Sequence, residues 1–428
     1  MNRITVYYEQ RVVGTIEVTR DGPVFDYDPK WIALRGAFPL SLQMPLSPRR
    51  VPSSIFLPWA ANLLPEAENL RAIGLHLGAA PDDVIAILSR IGRDTAGAFS
   101  IDQPGTPGTT GWKVIARDTD LERIINELPS KPFMVGEDGV SMSLAGVQSK
   151  MGVARNSKGQ LCIPLNGTPS THILKPDSAN LFGSVQNEAF CLTLAEVCRL
   201  PVAQVTTGIA GDRTYLLVTR YDRIKQQDKW RRLHQEDFCQ AMGKPPSAKY
   251  ESNQSGQQGP TLADMFALTR QAMGAADVIK LLDHVAFNIL VCNTDAHAKN
   301  YSLMISGRGT TLAPIYDVMC ASVWPNVTRN LAHRIAGKNR GEHLKRRHWQ
   351  RFARDCSLNA PRLLIRIEQL AHAVINNAEA TADTVRNMPA GDHPILKQCV
   401  TEVTARAHAI VHGLSDIDRR PPGEKTDL

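Results

Sequence analysis

The amino-acid sequence predicts an α+β protein in two lobes, one strand-rich and one helical, behind a small mixed amino-terminal domain. Strand signals dominate from residue 139 to about 222 and are interrupted by one helical stretch. Beyond Lys229 the periodicity is mainly helical, to about residue 415. A Pro/Gly/Thr-rich segment, Gln103–Gly111, separates both from the first hundred residues. The boundaries that follow are an amino-terminal unit over 1–102, a linker over 103–111, the strand-rich lobe over 112–224, the helical lobe over 225–417 and a disordered tail over 418–428. A chain of 428 residues is long enough for each unit to bury its own core.

Taken in order, Ile4–Tyr8 and Val12–Val18 alternate apolar and polar residues and read as a hairpin across Glu9–Arg11. Helical spacing follows over Ile55–Leu75 and again over Val84–Ile91. The second stretch is preceded by Pro81-Asp82-Asp83, whose acids suit the positive end of a helix. In the strand-rich lobe the expected strands are Val140–Leu144, Met151–Arg155, His172–Lys175, Val202–Thr207 and Tyr215–Arg220. The one expected helix there runs from Val185 to Cys198 and stops ahead of Leu200-Pro201. After a polar turn at Lys225–Lys229, the main break in the helical lobe is the low-complexity loop Ser252–Pro260.

Composition narrows the function classes. Charged residues at 21% and apolar ones at 43% exclude a wholly disordered chain. Glu9, Arg11 and Glu17 interrupt the first segment, and the most apolar run, Val285–Cys292, is short and contains Asn288. Neither a signal peptide nor a membrane span is expected, and the chain reads as cytoplasmic. Eight scattered cysteines without a C-x-x-C pair read as reduced core residues, not a disulfide framework or zinc site. The net charge of +7 is local: nine Lys/Arg and one acid, Glu342, lie between Arg329 and Arg354, and the rest of the chain is close to neutral.

The densest polar cluster is Asn293-Thr294-Asp295-Ala296-His297-Ala298-Lys299-Asn300, delivered by the apolar run before it. Asp295 and Asn300 stand five positions apart. In phosphotransferase loops of this spacing an Asp accepts the proton of the attacking hydroxyl and an Asn ligates Mg²⁺. Lys299 is placed to face the transferring phosphoryl group as a point charge. A capped turn uses the same residue types, so the order of the remaining parts decides. Asp317 follows twenty-two residues on, after Ile315-Tyr316, where a second metal ligand belongs. Lys175 ends the strand-like Thr171-His172-Ile173-Leu174 and suits nucleotide phosphates. Glu188, thirteen residues later, opens the lobe's expected helix and can pair with it. The order Lys–Glu–Asp–Asn–Asp, divided between the lobes in this way, points to a phosphotransferase using ATP and Mg²⁺. The segment Ser143–Gly152 offers two glycines six apart, which is neither G-x-G-x-x-G nor a Walker A loop. Amides around Gly146, with the charge of Lys150, would cradle phosphates; a hairpin turn is the alternative.

These residues resemble the HipA family of bacterial toxin kinases, serine/threonine kinases paired with a DNA-binding HipB antitoxin. The resemblance rests on Ser143-Leu-Ala-Gly-Val-Gln-Ser-Lys150, Thr171-His-Ile-Leu-Lys175-Pro, Asn187-Glu188 and Val218-Thr-Arg-Tyr-Asp222-Arg. It continues through Leu233-His-Gln-Glu-Asp237-Phe-Cys-Gln240, Thr294-Asp-Ala-His-Ala-Lys-Asn300 and Pro314-Ile-Tyr-Asp317. Asn62-Leu-Leu-Pro65 and Ile91-Gly-Arg-Asp94-Thr-Ala-Gly97 match the family's amino-terminal subdomain, so the likeness spans about residues 1–320.

The resemblance implies a two-lobed protein-kinase-like fold and an ATP- and Mg²⁺-dependent serine/threonine protein kinase. By residue it implies Asp295 as catalytic base, Asn300 and Asp317 as Mg²⁺ ligands and Lys175 as the ATP lysine. Ala145, Gly146, Val147, Gln148, Ser149 and Lys150 would form the nucleotide-phosphate loop. Thr219, Arg220 and Tyr221 would be the inter-lobe strand whose backbone meets adenine, with Asp222 near the ribose. His297, Lys299 and Asn300 would complete the nucleotide site. Ser143 matches the family's autophosphorylated serine, with Ser141 a second candidate. A phosphate there adds about −1.5 to −2 charge beside the nucleotide's own phosphates and favours an ejected loop. The family's targets include aminoacyl-tRNA synthetases. Two departures are Thr219, where the family has Glu, and His234, where it more often has Pro.

A non-catalytic DNA-bound corepressor and a small-molecule kinase are the alternatives; the second has no need of residues 1–102. In the basic stretch, Arg347, Arg351 and Arg354 recur at helical spacing, and Lys338 and Arg340 sit in a Gly-rich turn. They suit either salt-sensitive phosphate contacts or a solvated face. The resemblance places DNA contact at Lys338 and Arg340, together with a HipB-like antitoxin. His333, His343 and His348 read as surface histidines.

Overall fold

The computed structural model describes residues 3–106, 111–227 and 229–415. The tail over 418–428 and positions 107–110 of the expected linker lie outside the described residues. Strands Arg3–Tyr8 and Arg11–Thr19 each bury one face and pair antiparallel across Glu9-Gln10, as their alternation predicts. Gly22–Tyr27 and Phe99–Ile101 complete a four-stranded antiparallel sheet. The stretch expected as one helix forms two, Ser53–Ala61 and Ala67–Leu77, because Pro65 ends helical geometry between them. The intervening Asn62–Glu66 turns toward the rest of the molecule. Helix Val84–Ile91 is capped by the Asp83 carboxylate, which accepts the Ala86 N–H at 3.0 Å. Phe25, Phe56, Trp59 and Phe99 fill the core of this domain.

The strand-rich lobe is one six-stranded antiparallel sheet, in the spatial order Trp112–Val114, Leu161–Pro164, Met151–Arg155, His172–Pro176, Arg213–Thr219, Val205–Ala210. The expected strand Val140–Leu144 is absent from it. That segment is an irregular loop whose Met142 and Leu144 are buried in the core of the amino-terminal domain. Its alternation reports burial against a neighbouring domain, not sheet pairing. A helix that the sequence reading did not anticipate, Asp118–Glu127, buries Leu121, Ile124 and Ile125 on the back of the sheet. Helix Ser184–Val197 is present as expected. It is buried on nearly every side because it lies between the sheet and the carboxy-terminal helices.

The second lobe is built on helices Leu262–Ala272, Ala275–Leu290, Arg346–Asp355, Ala360–Arg386 and Ile395–Ser415. It also carries a hairpin, Arg223–Gln226 with Lys229–Arg232, and a three-stranded sheet of His234–Asp237, Ser302–Ser306 and Gly309–Leu312. All eight cysteines are free thiols and seven of them are buried. No described helix is long and apolar enough to cross a membrane. One histidine departs from expectation: His333 is buried beside Tyr301, and burial pushes its imidazole down to about 4, whereas His343 is exposed.

Two buried polar junctions hold the amino-terminal domain to the lobes. In the first, Asp94 meets Arg223 at 2.9 Å and Arg232 at 3.1 Å and accepts from Ser170 Oγ at 2.6 Å. Asp222 meets Arg220 at 2.7 Å and Arg223 at 2.9 Å, and the Gly97 N–H donates to it at 2.8 Å. Gly97 has φ +85°, and a Cβ there would stand 2.9 Å from Gln235 O, so only glycine fits. Burial would raise the Asp94 carboxyl, but the surrounding guanidinium groups hold it well below the usual carboxylate range. In the second junction Glu236, fully buried, accepts the Leu42 N–H at 2.9 Å, and His234 Nε2 bonds Leu40 O at 2.8 Å with its ring against Phe38 and Phe99. A proline at 234 could make neither contact.

Asp94→Ala leaves three buried guanidinium groups short of a counter-charge and is expected to destabilise the protein by about 3–5 kcal/mol in denaturant unfolding. Burial raises Glu236 to about 8, so it is protonated in the fold and ionised in the unfolded chain at pH 7. Its contribution to stability is fully present below the unfolded carboxyl's pKa, about 4.3, and is lost as pH rises through 8. Unfolding followed from pH 5 to 9 is expected to show this decline, flattened in Glu236→Gln.

Candidate active site

Strand His172–Pro176 ends at the cleft between the lobes and delivers Lys175 there. Its ammonium lies 2.7 Å from Glu188 Oε1 and 2.5 Å from Asp317 Oδ1. Glu188 comes from the first turn of the buried helix, and Asp317 from the segment after Gly309–Leu312. Asp317 has φ +58°, a left-handed conformation that Asp tolerates better than most residues. The neighbouring Asn187 fixes this segment: it accepts the Cys320 N–H at 2.7 Å and donates to Cys320 O at 3.0 Å. Burial opposes charge on Lys175, but the two carboxylates overcome it and hold the ammonium above its ordinary pKa. Lys175 and Lys150 in turn hold Asp317 well below the carboxylate range.

Helix Ala275–Leu290 runs into the catalytic-loop candidate. Asp295 Oδ1 accepts the phenol of Tyr250, and Asn300 Nδ2 donates to Asp295 O at 2.8 Å, which folds the loop over five residues. Burial raises the Asp295 carboxyl, partly offset by the Tyr250 hydrogen bond. Although its surroundings desolvate it, the side chain is reachable from the cleft. His297 is buried against the Tyr250 ring at 5.0 Å and kept neutral by burial. Asn300 Oδ1 and the Asp317 carboxylate offer hard oxygen donors. Among the described residues no cluster of three or more His, Cys, Asp or Glu forms a metal cage. The donor set suits Mg²⁺, which takes one or two protein oxygens and completes its shell with phosphates and water.

The segment Ala145–Lys150 forms the opposite wall. Gly146 has φ +109°, and a Cβ there would meet Lys150 Nζ at 2.5 Å. Lys150 donates to Ala145 O at 2.8 Å, and burial lowers it to about 8. Three bonds from the amino-terminal domain hold this loop inward: Ser143 Oγ donates to Leu63 O at 2.8 Å, the Glu66 N–H to Gly146 O at 3.2 Å and Asn69 Nδ2 to Val147 O at 2.7 Å. Ser143 is fully buried; Ser141 donates to Arg90 O at 2.9 Å and is not on a strand. Together these walls enclose about 900 Å³, lined by Gly146, Lys150, Lys175, Tyr221, Asp295, Asn300 and Asp317.

One expected role changes and two are constrained. Lys299 does not face the cavity as a free charge: Asn62 holds it through Oδ1 at 2.7 Å and through its carbonyl at 3.2 Å, with Asp237 at 3.4 Å. Asp222 lines the cavity as expected, with both carboxylate oxygens engaged by arginines and the Gly97 N–H. The N–H groups of Thr219 and Arg220 are already bonded to Gln204 O and Thr171 O, at 2.8 and 3.0 Å. Donors to a purine edge must come from elsewhere in the hinge. Lys338 and Arg340 lie outside this cavity, in an exposed turn. The sequence reading missed Tyr250, Lys249 and Glu66; Lys249 meets Glu66 at 2.6 Å. Their only local signal was adjacency to motifs, since their partners lie 45 and 183 residues away. Asn62→Ala removes the charge-assisted bond to Lys299 and is expected to cost about 1.5–3 kcal/mol in thermal unfolding.

Comparison with known proteins accords with this geometry. The family "HipA N-terminal domain" matches residues 4–102 and "HipA-like C-terminal domain" matches residues 142–379. A protein of Sinorhizobium fredii named "Putative kinase Y4mE" is 36% identical over 394 residues, covering 89% of this chain and 93% of that protein. The serine/threonine-protein kinase toxin HipA of Shewanella oneidensis is 30% identical over 333 residues, 75% of each chain. A chain from the Shewanella oneidensis complex of HipA, HipB and operator DNA superposes with a TM-score of 0.84 at 24% identity, covering 97% of this chain and 100% of that one, which establishes the kinase-like fold. With both family domains present and a curated toxin kinase related over three-quarters of its length, the chain belongs to the HipA family.

Proposed function

We propose that the protein is an ATP- and Mg²⁺-dependent serine/threonine protein kinase, the toxin of a type II toxin–antitoxin pair. The observation that carries this reading is the Glu188–Lys175–Asp317 triad facing Asp295 and Asn300 across one cavity. Lys175, Lys150 and the amides around Gly146 would hold nucleotide phosphates; Mg²⁺, held by Asn300 and Asp317, would neutralise charge on the transferred group. Asp295 orients the acceptor hydroxyl and takes its proton. Tyr250 fixes the carboxylate's rotamer, and its desolvated surroundings make it a better base than an exposed aspartate.

The reading extends to regulation. Ser143 is the autophosphorylation site: its hydroxyl has no room for a phosphate where it now lies, so modification would break the Leu63 contact and release the loop. A HipB-like antitoxin and operator DNA are the partners, and the target is a translation component such as an aminoacyl-tRNA synthetase. The relation to the Shewanella oneidensis toxin supports these assignments.

Incubation with labelled ATP and Mg²⁺ is expected to label the protein itself, with Ser143 as the mapped site. Asp295→Ala is expected to lower transfer about 10²–10⁴-fold; an unchanged rate removes Asp295 as base, and no labelling by wild type of itself or of cell-extract proteins removes the kinase assignment. Ser143→Ala is expected to continue transfer to other proteins after wild type has stopped, measured as the time course of labelling.

A further inference from the structure

Glu66 connects the amino-terminal domain to both walls of the cleft. It lies between helices Ser53–Ala61 and Ala67–Leu77, and its main chain is fixed on the phosphate-loop candidate. Pro65 forms a parallel bridge with Gly146, and the Glu66 N–H donates to Gly146 O at 3.2 Å. Ala67, the next residue, has φ +53°, a left-handed conformation that alanine adopts only where surrounding contacts impose it. The Glu66 carboxylate reaches the helical lobe. Its Oε2 accepts from Lys249 Nζ at 2.6 Å, and its Oε1, buried and without a hydrogen-bond partner among the described residues, stands 3.9 Å from Lys299 Nζ. Lys249 is buried, with its ammonium over the Tyr250 ring at 5.5 Å from the centroid. Its carbonyl accepts the Ala298 N–H of the catalytic loop at 3.0 Å. The Tyr250 phenol donates to Asp295 Oδ1, and its ring packs edge-on against His297 at 5.0 Å. A continuous line of contacts thus runs from Glu66 through Lys249 and Tyr250 to Asp295.

We propose that Glu66 is a positioning residue for phosphoryl transfer, acting on the proposed base through Lys249 and Tyr250. The inference rests on the kinase assignment and adds a residue of the amino-terminal domain to its machinery. A lysine side chain is long and flexible, and here an acid from another domain fixes its ammonium over the Tyr250 ring. With the ammonium over it and His297 against it, the ring is confined, and its hydroxyl holds the Asp295 carboxylate in one orientation. Without the Glu66 charge the ammonium is free to leave Tyr250 for nucleotide phosphates in the same cavity, which Lys249 also lines. Tyr250 and the carboxylate then lose their fixed placement. Displacing a reacting group by about 1 Å costs on the order of 10²-fold in rate. The Glu66 carboxylate is engaged with lysines and not with Asp295 itself, so its removal is felt in the transfer step. An ion pair that only ties two domains together would instead lower stability, with no dependence on the Tyr250 hydroxyl.

The test follows initial label transfer from ATP and Mg²⁺ to the full chain and to cell-extract proteins, over a range of ATP concentrations. Wild type, Glu66→Gln, Tyr250→Phe and the double variant are compared. Glu66→Gln is expected to lower the rate at saturating ATP by about 10–10²-fold, with the KM for ATP changed by less than about threefold. Tyr250→Phe removes the hydroxyl that carries the effect, so in that background Glu66→Gln is expected to cost less than about twofold. A wild-type rate in Glu66→Gln, or a loss confined to KM, overturns the proposal. The same fold-loss with and without the Tyr250 hydroxyl also overturns it and leaves the pair a tie between domains. If Glu66→Gln does not fold, as read by thermal unfolding, Lys249→Met in the same two backgrounds supplies the readout, and an equal fold-loss there overturns the proposal. Wild-type labelling that is indifferent to these variants defeats this inference alone, whereas absence of any labelling defeats the kinase assignment beneath it.

Discussion

The structure depends on one ammonium group held between two carboxylates. Lys175 belongs to a strand, Glu188 to the helix between the lobes and Asp317 to the segment that follows the small sheet of the second lobe. A buried ion pair of this kind is costly to desolvate and is kept only when its geometry is fully supported. The support is visible in Asn187, one residue before Glu188, which grips Cys320 by both its N–H and its carbonyl, so that one turn of helix positions both the glutamate and the aspartate-bearing segment. The same helix is buried on nearly all sides, which leaves it little freedom to shift. The relative placement of the lobes and the chemistry of the cleft are thus one constraint.

The amino-terminal domain is part of that cleft. Its Asn62–Glu66 turn reaches the lysines of the second lobe, and Leu63, Glu66 and Asn69 hold the phosphate-loop candidate inward. Asp94 and Gly97 organise the arginines that flank the hinge. The lobes alone would leave these buried charges without partners, and Asn62, Asp94 and Gly97 all lie in the motifs by which the chain resembles its family. The loop that carries Ser143 is consequently held in a buried environment built by the amino-terminal domain.

Much of this was legible in the sequence where the signal was local. The strand Met151–Arg155 and the helix Ser184–Val197 follow their periodicities to within a residue, and the pairing of Lys175 with Glu188 follows from a strand end and a helix start thirteen residues apart. Val140–Leu144 shows the limit: alternation marks which side chains are buried, and the partner here is another domain. Lys299 and Asp222 show it for the site. Both sit in catalytic-looking motifs, yet Lys299 is satisfied by Asn62 from the amino-terminal domain, and Asp222 by its neighbours Arg220 and Arg223 together with the distant Gly97 N–H. Tyr250 lies just ahead of the low-complexity loop Ser252–Pro260, and its partner Asp295 is 45 residues away, so spacing could not pair them.

By itself the sequence determined the two-lobed order, the identity of the charged residues that converge, and the family, because these rest on residue type and short-range spacing. Tertiary structure alone decided which of those charges remain available for chemistry. A lysine and an aspartate are the same letters in either setting, and only packing, with its choice of desolvated partners, separates Asp295, which stays reachable from the cleft, from Lys299 and Asp222, whose charges are taken up by buried partners.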